Sequence, residues 1–267
     1  MQSYTEKTAL VTGASKGLGE ALSRELAARG AHLVLVARSA DALRTLAEQT
    51  RTTHGVTTEV IVADLAAPDG AKQVADTLSE RRTELDLLVN NAGMGALGPF
   101  FTQPLDPNVQ SVGLNVTGLM ALTHHIGSEM LKRGSGGIVN VASGAAFQPM
   151  PYQASYGATK AFVLSFTEAI AEELRGTKIR VMGAYPGATD TGFFDHTTAT
   201  MDPKAVSPQH AAARILDDFS RGRATSFPGG TSDRLRTLVP RLLPRSRTAR
   251  LAGDFNRRAG HHQGRTL

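Results

Sequence analysis

Six short runs rich in Val, Ile and Leu recur along the chain, separated by helix-length amphipathic stretches. They are TALVT (8–12), HLVLVA (32–37), TTEVIVA (57–63), LDLLVN (85–90), GIVNVAS (137–143) and KIRVMGAY (178–185). None alternates strictly between apolar and polar residues, so each reads as a strand buried on both faces. The stretches between them, 18–29, 40–53, 69–82, about 107–133 and about 155–175, predict helices. Repeated β-α-β units with right-handed crossovers give a doubly wound parallel sheet covered by helices on both faces. Ser207-Pro208 marks one more helix start, running to about Arg221, and ATSFPGG (224–230) predicts a seventh, edge strand. The expected architecture is α/β: one Rossmann-type domain over 1–230 with a seven-stranded parallel sheet, then a basic extension over 231–267.

A chain of 267 residues is long enough for one such domain and its core. It contains no cysteine, which excludes disulfides, thiolate catalysis and Cys-type zinc sites. No run approaches the roughly 18 apolar residues of a membrane span. MQSYTEKTALVTG enters the first strand without the basic and apolar regions of a signal peptide, so a cytoplasmic location is expected. The net charge of +5 conceals two unlike parts. From Arg234 to Leu267 there are nine arginines and one acid, Asp254, while residues 1–233 carry 20 basic and 23 acidic groups. A slightly acidic body does not support nucleic-acid binding.

The first strand runs into TGASKGLG (12–19), where Gly13, Gly17 and Gly19 allow a sharp turn and close approach to a pyrophosphate. The helix that follows turns free N–H groups and the positive end of its dipole toward the phosphates. About 20 residues further on, at the end of the second strand, a dinucleotide site for a free ribose carries an acid. This chain has Val36-Ala37-Arg38-Ser39 there, and Lys16 lies in the glycine turn. Two cations and no carboxylate suit a 2′-phosphate, so NADP(H) is the expected cofactor.

In YQASYGATKAF (152–162), Tyr156 stands four residues before Lys160, which puts both on one face of a helix. A phenol holds its proton with a pKa of about 10. An ammonium ~4 Å away at an effective dielectric of ~20 contributes about 4 kcal/mol, enough to bring the phenol near neutrality, where acid–base catalysis works best. Tyr152 has no lysine at that spacing and reads as a substrate-pocket or packing residue. Ser143 ends the fifth strand at the carboxyl edge of the sheet, where open α/β sheets bind ligands. Asn115 lies in GLNVTG, within the preceding long helix.

These motifs, with Asp64 after the third strand, NNAG (90–93) and PGATDT (186–191), strongly resemble the short-chain dehydrogenase/reductase family in order and spacing. The resemblance spans about residues 5 to 230 and implies a strand order of 3-2-1-4-5-6-7. It implies that Tyr156 exchanges a proton with a carbonyl or alcohol oxygen while hydride moves to or from NADP(H). Ser143 would hold that oxygen, Lys160 would bind the nicotinamide ribose and lower the Tyr156 pKa, and Asn115 would position a water behind Lys160. Ser15, Leu18, Asp64, Leu65, Asn91, Ala92, Gly93, Pro186, Gly187, Thr189 and Thr191 would join Gly13, Lys16, Gly17, Gly19 and Arg38 along the cofactor. It also implies a homodimer or homotetramer built on the helices at 107–133 and 155–175.

TGFFDHTTATMDPKAVS (191–207) is expected to form the substrate lid. Phe193, Phe194 and Met201, with Phe147, Met150 and Tyr152, point to a moderately hydrophobic small-molecule carbonyl or alcohol. In the extension, Leu235, Leu238, Val239, Leu242 and Leu243 fall at helical spacing, with Pro240 and Pro244 as interruptions. Interleaved arginines admit two further readings, peripheral contact with an anionic membrane and a regulatory dinucleotide-binding protein that signals through its tail. No metal site is expected; His261 and His262 have no further ligands beside them and read as disordered.

Overall fold

The computed structural model describes residues 3–191 and 205–263. Its centre is a seven-stranded sheet in the order β3-β2-β1-β4-β5-β6-β7, every pairing parallel. The strands are β1 (Thr8–Thr12), β2 (His32–Ala37), β3 (Thr58–Val62), β4 (Leu87–Asn90), β5 (Gly136–Val141), β6 (Ile179–Ala184) and β7 (Thr225–Ser226). The continuous apolar runs are explained by two cores. Val11, Leu33, Leu35, Val89, Val139 and Met182 face one layer. Their neighbours Leu10, Val34, Leu88, Ile138 and Val181 face the other. Successive strand residues point to opposite faces, so a strand covered on both sides must be apolar throughout.

Helices α1 (Gly17–Ala28), α2 (Ala40–His54) and α7 (Pro208–Ser220) cover the first face through Leu22, Leu43, Leu46, Ile215 and Phe219. Helices α3 (Gly70–Glu80) and α5 (Leu119–Arg133) cover the second through Val74, Leu78, Leu122 and Ile126, and α6 (Ala154–Glu173) adds Ile170 and Ala171. The start of α7 is capped as its sequence predicts: the Ser207 hydroxyl accepts from the His210 N–H at 3.2 Å. Strand β7 is shorter than 224–230 because Pro228, Gly229 and Gly230 come one residue after its end.

Two segments differ from expectation. The long helix at 107–133 is not uniform: α4 (Asp106–Val112) passes through one wide π-turn, Gly113–Gly118, before α5. The turn lies against the loop after β3, where a Cβ on Gly118 would fall 2.1 Å from the Leu65 carbonyl oxygen. The C-terminal residues form α8 (Thr231–Leu242) and α9 (Arg245–Arg258). Pro240 sits inside α8 without ending it; the break comes at Leu243, held extended before Pro244. Among the described residues, no helix is long and apolar enough to cross a membrane, and no group of three or more His, Cys, Asp or Glu side chains could hold a metal ion.

Candidate active site

One cavity of about 1910 Å³ runs along the carboxyl edge of the sheet. At one end lies the turn between β1 and α1. Gly13 and Gly17 adopt φ of +65° and +60°, a left-handed backbone open to glycine at little cost. The Asn91 side chain donates to the Thr12 carbonyl at 2.9 Å, while the Thr12 hydroxyl accepts from the N–H groups of Asn91 and Ala92 at 3.0 and 2.9 Å. Thr12 thus ties the glycine turn to the end of β4, a role the sequence motifs do not reveal. Gly17, Leu18 and Gly19, the first residues of α1, line the cavity, and the N-cap side chain, Lys16, has no acceptor to satisfy their N–H groups.

Lys16, Arg38 and Asp64 line this end, and all three are exposed. Among the described residues, no carboxylate pairs with Lys16 or Arg38. Asp64 accepts from the Ala66 N–H at 3.0 Å, which fixes the loop carrying Leu65. Two unpaired cations, Lys16 in the glycine turn and Arg38 at the end of β2, beside open helix N–H donors, fit the charge of a phosphorylated dinucleotide. Ser15, Leu18, Gly19, Ala92, Gly93, Pro186, Gly187, Thr189 and Thr191 also line the cavity.

At the centre, Ser143, Tyr156 and Lys160 converge. Ser143 is extended (φ −172°) just past β5, and its hydroxyl accepts from the Ala145 N–H at 3.1 Å. It also hydrogen-bonds the Tyr156 phenol. Burial is the larger influence on Tyr156 and pushes its pKa above the ordinary value; the bond from Ser143 opposes that rise. Lys160 is buried, and burial pushes its pKa down from 10.5 to about 8. The expectation that Lys160 dominates the Tyr156 pKa therefore needs correction. Its ammonium donates to the Val141 carbonyl at 2.9 Å and lies 5.8 Å from the phenol ring centroid, so desolvation outweighs it.

Asn115 does not line the cavity. It sits in the π-turn, 1% exposed, and its amide donates to the Met94 carbonyl and the Thr159 hydroxyl at 2.8 and 2.9 Å. Its oxygen accepts from the Met94 N–H at 3.0 Å. A Cβ on Gly93 would lie 3.3 Å from the Lys160 ammonium and 3.4 Å from the Asn115 oxygen, so the two groups flank one backbone position. A single wide turn in a helix near a functional site is a recurring device for re-aiming a side chain.

On the substrate side, Phe147 and Met150 line the cavity as expected. Tyr152 does not: its ring meets that of His262 edge to face, 6.3 Å between centroids, and its backbone is left-handed with φ of +67°. Phe193, Phe194 and Met201 lie outside the described residues. His261 is not disordered but 7% exposed, within 2.7 Å of the Gln153 side chain. Met94, Leu97, Gln148, Gln153 and a set of residues from α8 and α9 also line this end. Their side chains converge from segments distant in sequence, and no local motif marks them.

The family model described as short chain dehydrogenase matches residues 7–202. The chain is 33% identical over 187 residues to a short chain dehydrogenase of Pseudocercospora fijiensis, covering 69% of this chain and 60% of that protein. It is 34% identical over 200 residues to human 17-beta-hydroxysteroid dehydrogenase type 3, covering 74% of this chain and 64% of that one. It therefore spans less than two thirds of the length of either relative. Among solved structures, a short-chain dehydrogenase from Sphingobium yanoikuyae in complex with NADPH superposes with a TM-score of 0.80. That match has 32% identity and covers 88% of this chain and 93% of the other.

Proposed function

The chain belongs to the short-chain dehydrogenase family, and from that premise we propose that it is an NADP(H)-dependent oxidoreductase interconverting a carbonyl and an alcohol on a moderately hydrophobic small molecule. The carrying observation is the convergence of Ser143, Tyr156 and Lys160 at the middle of a cavity whose far end holds Arg38 and Lys16. The unpaired cations support NADP(H), as does the solved relative in complex with NADPH.

The dinucleotide, when bound, supplies or accepts hydride at the substrate carbon. In the reducing direction the Tyr156 O–H transfers its proton to the carbonyl oxygen. The Ser143 hydroxyl donates to the same oxygen and steadies the negative charge that develops there. Lys160, with a pKa of about 8, is mostly protonated near neutrality and offsets the phenolate left behind. Asn115 acts at one remove, holding Met94 and the Thr159 segment of α6. Exposed Val109, Val112 and Met120 on α4 and α5 support a homodimer or homotetramer through those helices.

The test is loss of nicotinamide absorbance with NADPH across short, aromatic and long-chain ketones and aldehydes, with Tyr156→Phe beside the wild type. Turnover that disappears in the variant while NADPH still binds is the expected result. Undiminished turnover in the variant removes the proton-donor assignment. Tight NADPH binding with no turnover of any carbonyl favours the regulatory reading.

A further inference from the structure

The family match ends at residue 202, yet residues of the helices beyond it line the cavity. At the start of α8, Asp233 sits over the loop after β6: a Cβ on Gly187 would lie 2.5 Å from its Oδ2. At the end of α9, Asn256, 1% exposed, donates to the Pro151 carbonyl at 2.8 Å. His261 and Gln153, 7% and 5% exposed, meet at 2.7 Å. The helix pair thus packs on the loop after β6 at one end and is hydrogen-bonded to the loop before Tyr156 at the other, and both loops line the cavity. One of them, 150–153, launches α6, where the Gly157 N–H donates to the Gln153 carbonyl at 2.9 Å.

Between these anchors the pair presents an apolar face. Val239, Leu243, Leu251 and Phe255 line the same cavity as Phe147 and Met150. Val239, Leu251 and Phe255 remain 53%, 58% and 64% exposed, although large apolar side chains gain by burial. A cavity wall of this kind is completed by an apolar ligand. Leu235 and Leu242, also exposed, are not part of the cavity lining.

We infer that the C-terminal helix pair is a working part of the substrate site. Its inner face selects carbonyl compounds carrying a bulky apolar group, and Asn256 and His261 are positioning residues that hold this wall against the turn starting the catalytic helix. The substrate class rests on the carbonyl-reductase reading above; the wall and its fastening do not.

The experiment uses the full chain with two probes, benzophenone as the bulky ketone and butanone as the small one. Binding is read by calorimetry and kcat/KM by NADPH oxidation. Wild type should bind benzophenone more tightly than butanone. Phe255→Ala should weaken benzophenone about tenfold or more and butanone less than about twofold, because only the larger ligand reaches the wall. Leu251→Ala must give the same pattern, and Leu242→Ser neither effect. Equal losses for both ketones, or no preference in wild type, overturn the wall. His261→Phe should lower kcat for both ketones, and His261→Asn, which keeps a polar atom near the imidazole Nδ1 position, should restore most of it. An Asn variant as poor as the Phe variant, or a Phe variant with unchanged kcat, overturns the fastening. Phe255-dependent benzophenone binding without turnover of any carbonyl leaves the wall standing and removes the reductase reading instead.

Discussion

Asn115 donates to the Thr159 hydroxyl at 2.9 Å, bridging the π-turn and the helix that carries Tyr156 and Lys160. Thr159 in turn donates to the Tyr156 carbonyl at 2.8 Å, so the contact reaches the backbone of Tyr156. Asn115→Ala leaves the Met94 N–H without its acceptor in a partly buried place, a loss of about 1 kcal/mol or more. The expected outcome is a lower Tm together with a lower kcat, measured by thermal unfolding and steady-state kinetics. Wild-type values for both would remove Asn115 from the positioning network.

Lys160 should set the alkaline limit of activity. Its ammonium is the form that offsets a phenolate, and that form is lost as pH rises through about 8. kcat/KM for NADPH, which reports groups of the free enzyme, should therefore fall above about pH 8. Lys160→Arg should move that limb out of range because a guanidinium stays charged. Stability moves the other way. Between about pH 8 and 10.5 the unfolded lysine keeps a proton that the folded one has released, so this residue makes stability rise with pH. Tyr156, with its pKa raised by burial, reverses the trend only above its ordinary value of 10.0. Unfolding curves from pH 8 to 10 should show the rise in wild type and not in Lys160→Met.

Arg38 should separate the two nicotinamide cofactors. A hydrogen bond to a charged group contributes roughly 1.5–3 kcal/mol, or about ten- to a hundredfold in affinity. Arg38→Ala should weaken NADPH by that factor and leave NADH nearly unchanged, read by the fluorescence of the bound cofactor. Parallel losses for both would mean that Arg38 does not contact a 2′-phosphate.

The parts of this fold that were legible in the sequence are those written in local pattern. Pairs such as Leu10 and Val11 serve opposite cores, and that doubling produces the apolar runs that betray buried strands. Tyr156 and Lys160 are legible together because one helical turn separates them. The strand order was not local: it came only with the resemblance to a family. Nothing local distinguishes the π-turn at Gly113–Gly118 from ordinary helix, since its cause is contact with the distant loop at Leu65. The pairing of Gln153 with His261 spans 108 positions, and a histidine in an arginine-rich tail carries no sign of it. The balance on Tyr156 was misjudged because charge spacing can be counted in a sequence, whereas desolvation depends on the packed surroundings.

Tyr185 carries a hydroxyl whose removal should help the fold. The residue ends the β6 run, 1% exposed, with its ring 5.1 Å from Phe147 and 5.3 Å from Phe227. Among the described residues its hydroxyl has no hydrogen-bond partner, and burial pushes its pKa upward. An unpartnered buried hydroxyl opposes folding, while the ring contacts survive its loss, so Tyr185→Phe should be neutral or stabilising by up to about 1 kcal/mol. The hydroxyl also crowds the backbone: a Cβ on Gly183 would lie 2.2 Å from it and 2.6 Å from the ring carbon beneath. Gly183→Ala should therefore destabilise the wild type and do less damage alongside Tyr185→Phe, giving a coupling energy of about 0.5 kcal/mol or more in a double-mutant cycle. Strictly additive effects would mean that the ring, not the hydroxyl, excludes a side chain at 183, and a clear loss of stability in Tyr185→Phe alone would mean that the hydroxyl is hydrogen-bonded in solution.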